Sequence, residues 1–303
     1  MRRLLLLGML SLLAAVPAVA QDAAWEIIRE KTEANLKELA AGSRGVVGLV
    51  AVDLTSGERF AINENLVFPQ GSAIKVPILI EVHKQAAAGK FKLSDRLPVT
   101  QAIQVGGDGV LQHFGDATSE LSIGDLCALM IILSDNTATN ILIELVGSDS
   151  VNATLASLGL AKTRLQRKMM DLEALARSED NLSTPSEAAR LMELLYRCEI
   201  LSRAACHDIF SLLKRAEGSA LRKALPAGVP VAAKPGGIPG VRTEWAIVFL
   251  EHRPYAVAVM ESYGPEDEAG RNFGDISRVL FDYFQRRACS NQYGACVDPE
   301  RMH

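Results

Sequence analysis

A serine and a lysine three residues apart, Ser72 and Lys75, have the types and spacing that covalent catalysis needs. Residues at this spacing share one face of a helix, so Oγ of the serine and Nζ of the lysine can meet. A serine hydroxyl is a weak nucleophile that needs a base close by. Pro69 and Gly71 disfavour a helix upstream, so we expect the helix to begin at or just before Ser72. The amide N–H of Ser72 would then lie unpaired at the positive end of the helix, where it can stabilise an oxyanion.

Two further polar motifs follow along the chain. Ser-Asp-Asn at 134–136 comes about 60 residues after Ser72, and Lys-Pro-Gly-Gly at 234–237 comes about 100 residues later. Alone, the first also suits a polar turn between helices. The second lacks the spacing and the following helix of a phosphate-binding glycine loop. If Lys234 lies beside a buried Lys75, burial and the neighbouring charge lower the pKa of Lys75, which allows Lys75 to accept a proton.

The three motifs, in this order, resemble the signature of class A β-lactamases and penicillin-binding proteins. The surrounding segments at 68–76 and 133–140 are also similar to those of this family, and the resemblance runs from about residue 25 to 287. It implies a serine hydrolase with these roles: Ser72 is acylated, Lys75 is its base, Ser134 relays the proton to the leaving nitrogen, Asn136 binds the side-chain amide of the substrate, and Asp135 fixes the loop.

The third motif follows the family only in part. The resemblance implies that Lys234 binds the substrate carboxylate and stabilises Ser134, and that the N–H of Gly237 completes the oxyanion hole. Pro235 departs from the pattern, because the family usually has a threonine or serine there whose hydroxyl also binds the carboxylate. Arg242, just past the expected turn, is a candidate to compensate.

The loop before Ser-Thr-Pro at 183–185 departs further. Class A β-lactamases carry there a glutamate and, four residues on, an asparagine, which hold the water that hydrolyses the acyl-enzyme. The alignment puts Met169 at the glutamate and Glu173 at the asparagine, and a methionine cannot act as a base. Asp171 and Glu173 are candidate replacements; alternatively both are exposed loop acids or pair with Arg167. This loop is similar to a related branch that includes D,D-peptidase-like penicillin-binding proteins.

Three functions are compatible with these motifs. The first is a β-lactamase that opens and hydrolyses the β-lactam ring through a Ser72 acyl-enzyme. The second is a D,D-peptidase that acts on D-alanyl-D-alanine cell-wall peptides and is trapped by penicillin. The third, a non-catalytic binder of cell-wall peptides or β-lactams, is disfavoured because Ser72, Lys75, Ser134 and Lys234 are all present.

The pattern of apolar residues predicts an α+β fold. Strands are expected at 45–54 and 59–62, and again at 229–234, 243–250 and 255–262, with an almost wholly helical stretch between. An antiparallel sheet of about five strands, covered by the N- and C-terminal helices, would carry an inserted helical domain. The expected divisions are a sheet domain at 24–66 and 217–287, a helical domain at 67–216 and a tail at 288–303. The active site is expected in the cleft between the two domains.

The first twenty residues are typical of a cleaved signal peptide. Arg2 and Arg3 precede an apolar stretch, and Ala-Val-Ala at 18–20 is a cleavage signal, so we expect export to the periplasm or medium. No later stretch is apolar for long enough to span a bilayer. The net charge of −4 argues against nucleic acid, and the five histidines lack metal-ligand spacing. We expect a monomer that uses no cofactor or metal and acts on a small molecule.

The five cysteines form two close pairs and a single residue. In an exported protein, Cys289 with Cys296 and Cys198 with Cys206 are candidate disulfides. Cys127 lies in an apolar run and is expected to be a buried, unreactive thiol.

Overall fold

A computed structural model describes residues 18–115, 119–291 and 293–296 of the chain. Its strands are β1 Val46–Asp53, β2 Arg59–Ile62, β3 Phe68–Pro69, β4 Arg96–Pro98, β5 Glu120–Ser122, β6 Leu182–Ser183, β7 Val231–Ile238, β8 Val241–Val248 and β9 Tyr255–Ser262. The centre of the molecule is a five-stranded antiparallel sheet with the strand order β2-β1-β9-β8-β7. Two short two-stranded ladders, β3 with β6 and β4 with β5, lie outside this sheet.

Helices cover both faces of the sheet. The α-helices are α1 Ala18–Gly42, α2 Lys75–Ala87, α3 Ile123–Ile132, α4 Asn136–Val146, α5 Ser148–Ser157, α6 Leu172–Ala176, α7 Pro185–Tyr196, α8 Arg203–Leu213, α9 Ala220–Lys223 and α10 Glu266–Cys289. Helices α1 and α10 pack together on one face, whereas α7 packs on the other and connects the sheet to the helical part. Among the described residues, no helix is long and apolar enough to cross a bilayer.

The apolar core consists of two clusters, one on each face of the sheet, because side chains alternate between the two faces along each strand. On β1, Val47, Leu49 and Ala51 belong to the cluster under α1 and α10, whereas Val50 and Val52 belong to the cluster shared with the helical part. Successive side chains of a strand point to opposite faces, so one buried strand supplies both clusters. The predicted α+β fold with flanking terminal helices is confirmed.

Two predicted strands have other bounds in the structure: the strand predicted at 243–250 is β8, Val241–Val248, and the other carries the third motif. The strand predicted at 229–234 is β7, which continues through Pro235 and Gly236 to Ile238. Proline lacks an N–H and is confined to edge strands, and β7 is the edge strand next to β8. The third motif therefore lies within a strand rather than after one.

One of the two candidate disulfides is formed. Cys289 and Cys296 are bonded, with their Cα atoms 4.8 Å apart. Cys198 and Cys206 are free thiols, so that candidate pairing is wrong in this structure: each sulfur contacts a backbone carbonyl, that of Tyr196 and that of Leu201 respectively. Cys127 is buried, and burial raises the pKa of its thiol to about 12, as expected of an unreactive cysteine. The predicted signal peptide, 1–20, lies almost wholly outside the described residues.

Candidate active site

Ser72 lies at the start of a helix, as predicted. A 3₁₀-helical turn at Gly71–Ile74 carries it, and this turn runs directly into α2. Gly71 has a φ of +48°, a left-handed conformation that glycine adopts without steric cost. Ser72 is half-buried, and its N–H belongs to the first turn, where a helix provides no acceptor of its own.

Lys75 begins α2 and is completely buried. Its Nζ donates hydrogen bonds to the carbonyl oxygen of Ser134 at 2.7 Å, to Oγ of Ser134 at 3.1 Å and to Oδ1 of Asn136 at 3.0 Å. Among the described hydrogen bonds, none joins Nζ to Oγ of Ser72. Catalytic hydrogen bonds are often long in a substrate-free site, so this geometry is compatible with a base that moves onto Ser72.

A second buried lysine approaches the same serine. Nζ of Lys234 lies 3.1 Å from Oγ of Ser134, and this side chain is only 1% exposed. Ser134 has a φ of +57°, and its Oγ lies within hydrogen-bond distance of both lysines. The structure therefore brings the second and third motifs together at one hydroxyl group.

Burial weakens the positive charge of both lysines, and repulsion by Lys234 adds to this effect at Lys75. Burial first, and then the charge of Lys234, hold the pKa of Lys75 well below its usual value. Burial lowers the pKa of Lys234 to about 8, against the opposing effects of Asp108 and Glu244. A lysine with a depressed pKa can accept a proton near neutral pH, as the sequence predicted for Lys75.

Strand β7 passes close to the start of the Ser72 helix. A Cβ atom on Gly236 would lie 2.8 Å from the Ser72 nitrogen and 2.5 Å from the Ala73 nitrogen, so this strand position has no room for a side chain. A Cβ on Gly71 would lie 2.6 Å from the nitrogen of Gly237. The backbone at Ser72 and that at Gly237 are thus neighbours, as an oxyanion hole built from their two N–H groups requires.

Arg242 lies directly across the hairpin from Gly237. It is half-buried and lines the same cleft as Ser72, and its guanidinium carbon lies 6.0 Å from the ring centre of Phe273. Its Nε has no hydrogen-bond partner among the described residues. That Nε atom is buried, but the residue lines the cleft, and a guanidinium at this place suits a substrate carboxylate.

The cleft has a volume of about 530 Å³. Its lining joins the ends of the sheet to the helical part, where the sequence predicted the site. The lining residues are Ser72, Asp108, Ile132, Leu133, Ser134, Glu217, Gly218, Lys234, Pro235, Gly236, Gly237, Ile238, Pro239 and Arg242.

Neither candidate deacylation acid is among these lining residues. Oδ1 of Asp171 accepts a hydrogen bond from the N–H of Ala174 at 2.9 Å, so Asp171 caps α6. Glu173 lies exposed in the first turn of that helix. The alternative that these acids pair with Arg167 is wrong, because Arg167 forms a buried ion pair with Asp180 at 2.8 Å.

Met169 is fixed in place by Asn140. Its N–H donates to Oδ1 of Asn140 at 2.8 Å, and its carbonyl accepts from Nδ2 at 3.2 Å. The side chain of Met169 is 6% exposed and packs in the apolar cluster. An apolar side chain therefore occupies the position that the sequence analysis aligned with the family's glutamate.

Three acids near the site were missed by sequence reasoning. Asp108 and Glu217 line the cleft, and Glu244 lies fully buried on β8, paired in register with Pro235. The carboxylate of Glu244 accepts hydrogen bonds from the hydroxyl of Ser219 and from the first N–H groups of α9. Only Asp108 could have been suspected from the sequence, because it is the single acid in the glycine-rich run at 105–109. The positions of Glu217 and Glu244 near the site depend on long-range packing.

A model of the beta-lactamase enzyme family matches residues 31–284. The chain belongs to this family. Among solved structures, a β-lactamase from Sphaerobacter thermophilus is 30% identical, with a TM-score of 0.77, 84% of this chain and 96% of that one being covered. PBP-A is 25% identical, with a TM-score of 0.78 and the same coverage. A β-lactamase from Chitinophaga pinensis is 25% identical, with a TM-score of 0.78, over 83% of this chain and 98% of that one.

Family membership and fold identify the chain as a serine hydrolase of the β-lactamase type.

Proposed function

We propose that this β-lactamase family member opens the β-lactam ring through an acyl-enzyme on Ser72. Lys75 takes the hydroxyl proton as Oγ attacks the carbonyl carbon. The new ester bond forms, the C–N bond of the ring breaks, and Ser134 passes a proton to the departing nitrogen. The observation that carries this proposal is the contact of both buried lysines with Oγ of Ser134, beside Ser72 in one cleft.

The substrate carboxylate is assigned to Lys234 and Arg242. Lys234 is a buried cation beside Ser134, and Arg242 is a second cation that lines the same cleft. The developing oxyanion is assigned to the N–H groups of Ser72 and Gly237, which adjoin each other. Asn136 is assigned to the amide of the substrate's acyl side chain.

A second candidate function is a D,D-peptidase-like penicillin-binding protein. It is favoured by Met169, because no carboxylate of the described 164–183 loop lines the cleft to activate a hydrolytic water. A variant of PBP-A, a protein that is 25% identical to this chain, has been solved as an acyl-enzyme complex with penicillin G. On this alternative the same Ser72 ester forms, with release of D-alanine from a peptide.

Acylation is tested by intact-protein mass spectrometry with benzylpenicillin. We expect a gain of one intact drug mass in the natural protein and in a Ser56→Ala control, and no gain in Ser72→Ala. An adduct that persists in folded Ser72→Ala would refute the nucleophile. Turnover of a chromogenic cephalosporin against D-alanine release from an acyl-D-alanyl-D-alanine peptide then separates the two functions.

We also propose that the protein is exported and acts as a monomer. The disulfide between Cys289 and Cys296 supports an oxidising compartment, because such bonds rarely persist in a reducing cytosol. Fractionation of expressing cells, with N-terminal sequencing, should find the mature protein outside the cytoplasm with cleavage near Ala20. Recovery of full-length protein from the cytoplasm alone would contradict export.

A further inference from the structure

Asp108 shares the cleft with Ser72, Ser134 and Lys234, but the proposed function gives it no role. Its charge opposes the lowering of the pKa of Lys75 and of Lys234, so its carboxylate acts on both cations. The side chain is exposed, and within the described ranges it forms no hydrogen bond or ion pair. This carboxylate is therefore open to a molecule that enters the cleft.

The loop that carries Asp108 is pressed onto the Ser-Asp-Asn motif. Gly107 and Gly109 flank Asp108 with φ angles of +86° and +105°, which side chains rarely adopt. A Cβ on Gly109 would lie 2.3 Å from Cγ of Asp135, and one on Gly107 would lie 2.6 Å from Nδ2 of Asn136. Only glycine fits at these positions, so the loop follows one path over the motif.

Hydrogen bonds fix the aspartate relative to Asn136. The N–H of Asn136 donates to the carbonyl of Asp108 at 3.0 Å. Nε2 of Gln112 donates to the carbonyls of Gly107 at 2.7 Å and Gly109 at 2.9 Å, on either side of Asp108. The backbone that presents the carboxylate is thus held on both sides, next to the residue assigned to the acyl side chain.

We propose that Asp108 is a cation subsite that binds an ammonium group on the acyl side chain of the substrate. The inference rests on the proposed function, because it takes Asn136 to bind the side-chain amide. An ammonium close to that amide lies next to Asp108, while the carboxylate of the same molecule lies with Lys234 and Arg242. The cleft thereby matches a substrate with opposite charges at its two ends.

A matched pair of penicillins isolates this interaction. Ampicillin and benzylpenicillin differ only by an ammonium group on the side-chain carbon next to the amide. We expect the ratio of their second-order acylation rates, ampicillin over benzylpenicillin, to fall about fivefold in Asp108→Asn, within the range of one partly exposed ion pair. Benzylpenicillin acylation measures the separate effect of losing the Asp108 charge on Lys75 and Lys234, and the ratio cancels that effect. In the natural protein, salt should lower the ratio by screening, and raising the pH until the ammonium deprotonates should also lower it.

Two further variants sharpen the test. Glu217→Gln removes the other acid that lines the cleft and should leave the ratio unchanged, because the assigned ammonium position adjoins Asp108. Asp108→Lys should lower the ratio further than Asp108→Asn, since it replaces attraction by repulsion.

The outcomes separate this inference from the function on which it rests. An unchanged ratio in Asp108→Asn, with normal acylation by benzylpenicillin, overturns the subsite and leaves the Ser72 mechanism standing. An equal loss with both penicillins also overturns it, because the whole effect of Asp108 would then pass through the lysines or the fold and none through the ammonium group. Failure of the natural protein to acylate with either drug removes the proposed function and the subsite together.

Discussion

The two sides of the cleft differ in how much of the expected chemistry they carry. On the Ser72 side, Lys75 and Lys234 are buried and hydrogen-bonded to Ser134. The 164–183 loop is held in place by a buried Arg167–Asp180 ion pair, but it has Met169 at the position where a base is expected. The loop is ordered by its ion pair but lacks the expected acid. We therefore expect hydrolysis of the acyl-enzyme to be slower than its formation.

Removal of Lys75 should have the largest effect on this contrast. Lys75→Ala deletes the proposed base and leaves Ser134 held by Lys234 alone, so we expect acylation by benzylpenicillin to slow by about 10²–10⁴-fold. Stopped-flow mixing with mass detection measures this rate. Lys84→Ala, an exposed lysine on the same helix, is the matched control. Unchanged acylation in a folded Lys75→Ala protein would place the base elsewhere.

Met169→Glu tests the other side of the cleft. The natural enzyme should accumulate acyl-enzyme and turn over slowly, because the hydrolytic water lacks a base. A carboxylate at 169 should speed deacylation by about 10²-fold, the lower range for a general base. Burial in the apolar cluster should raise the pKa of this new carboxyl and cost some stability.

Met169→Gln has nearly the same shape without the charge and is the control for Met169→Glu. If the natural enzyme already turns over rapidly, the account of a missing base is wrong. Asp171→Asn and Glu173→Gln would then show whether either acid has taken over, since trapped adduct should appear in the variant that lost the base.

The features that could be predicted from the sequence are those that depend on short stretches of neighbouring residues. The helix start at Ser72, the presence of a C-terminal helix and the strand at Tyr255–Ser262 follow from short patterns of apolar residues, glycine and proline. Strand β7 was predicted too short because Pro235 and Gly236 usually end strands, whereas here an edge position and a close approach accommodate them.

Glu244 and Glu217 could not be predicted in the same way. Glu244 became an active-site neighbour only because β8 pairs with β7 and because its carboxylate caps α9. Glu217 reaches the cleft through packing of its backbone against the end of α3, where its N–H donates to Ile132 at 3.1 Å. Neither the strand pairing of Glu244 nor the backbone contact of Glu217 produces a residue spacing that can be recognised in a single sequence.

The pH dependence of acylation sharpens the electrostatic side of the comparison. Lys75 acts as base when neutral, so activity should rise with pH through its lowered pKa. Lys234 binds the carboxylate when charged, and its pKa is about 8, so activity should fall as pH rises through that value. A pH–rate profile for acylation should therefore be bell-shaped, with limbs that belong to the coupled pair.

Glu244→Gln tests the assignment of the alkaline limb. The charge of Glu244 raises the pKa of Lys234, so its loss should move that limb to lower pH. Glutamine keeps an oxygen that can accept from the N-terminal amides of α9. An alkaline limb that does not move, in a variant of normal stability, would assign it to another group.

Pro235→Thr should have the smallest effect and tests whether the Ser72 side is itself complete. Relatives usually place a hydroxyl here to bind the substrate carboxylate, and proline cannot supply it. The edge position of β7 tolerates either residue, so threonine should fold normally and add one hydrogen bond of about 1 kcal/mol, which is about a fivefold gain in acylation efficiency. Pro235→Val supplies the shape of threonine without its hydroxyl and should not gain acylation efficiency.

If Pro235→Thr also gains nothing while Arg242→Ala loses tenfold or more in acylation efficiency, Arg242 already supplies the contact that Pro235 lacks. A gain with valine as large as with threonine would instead trace the effect to the strand backbone.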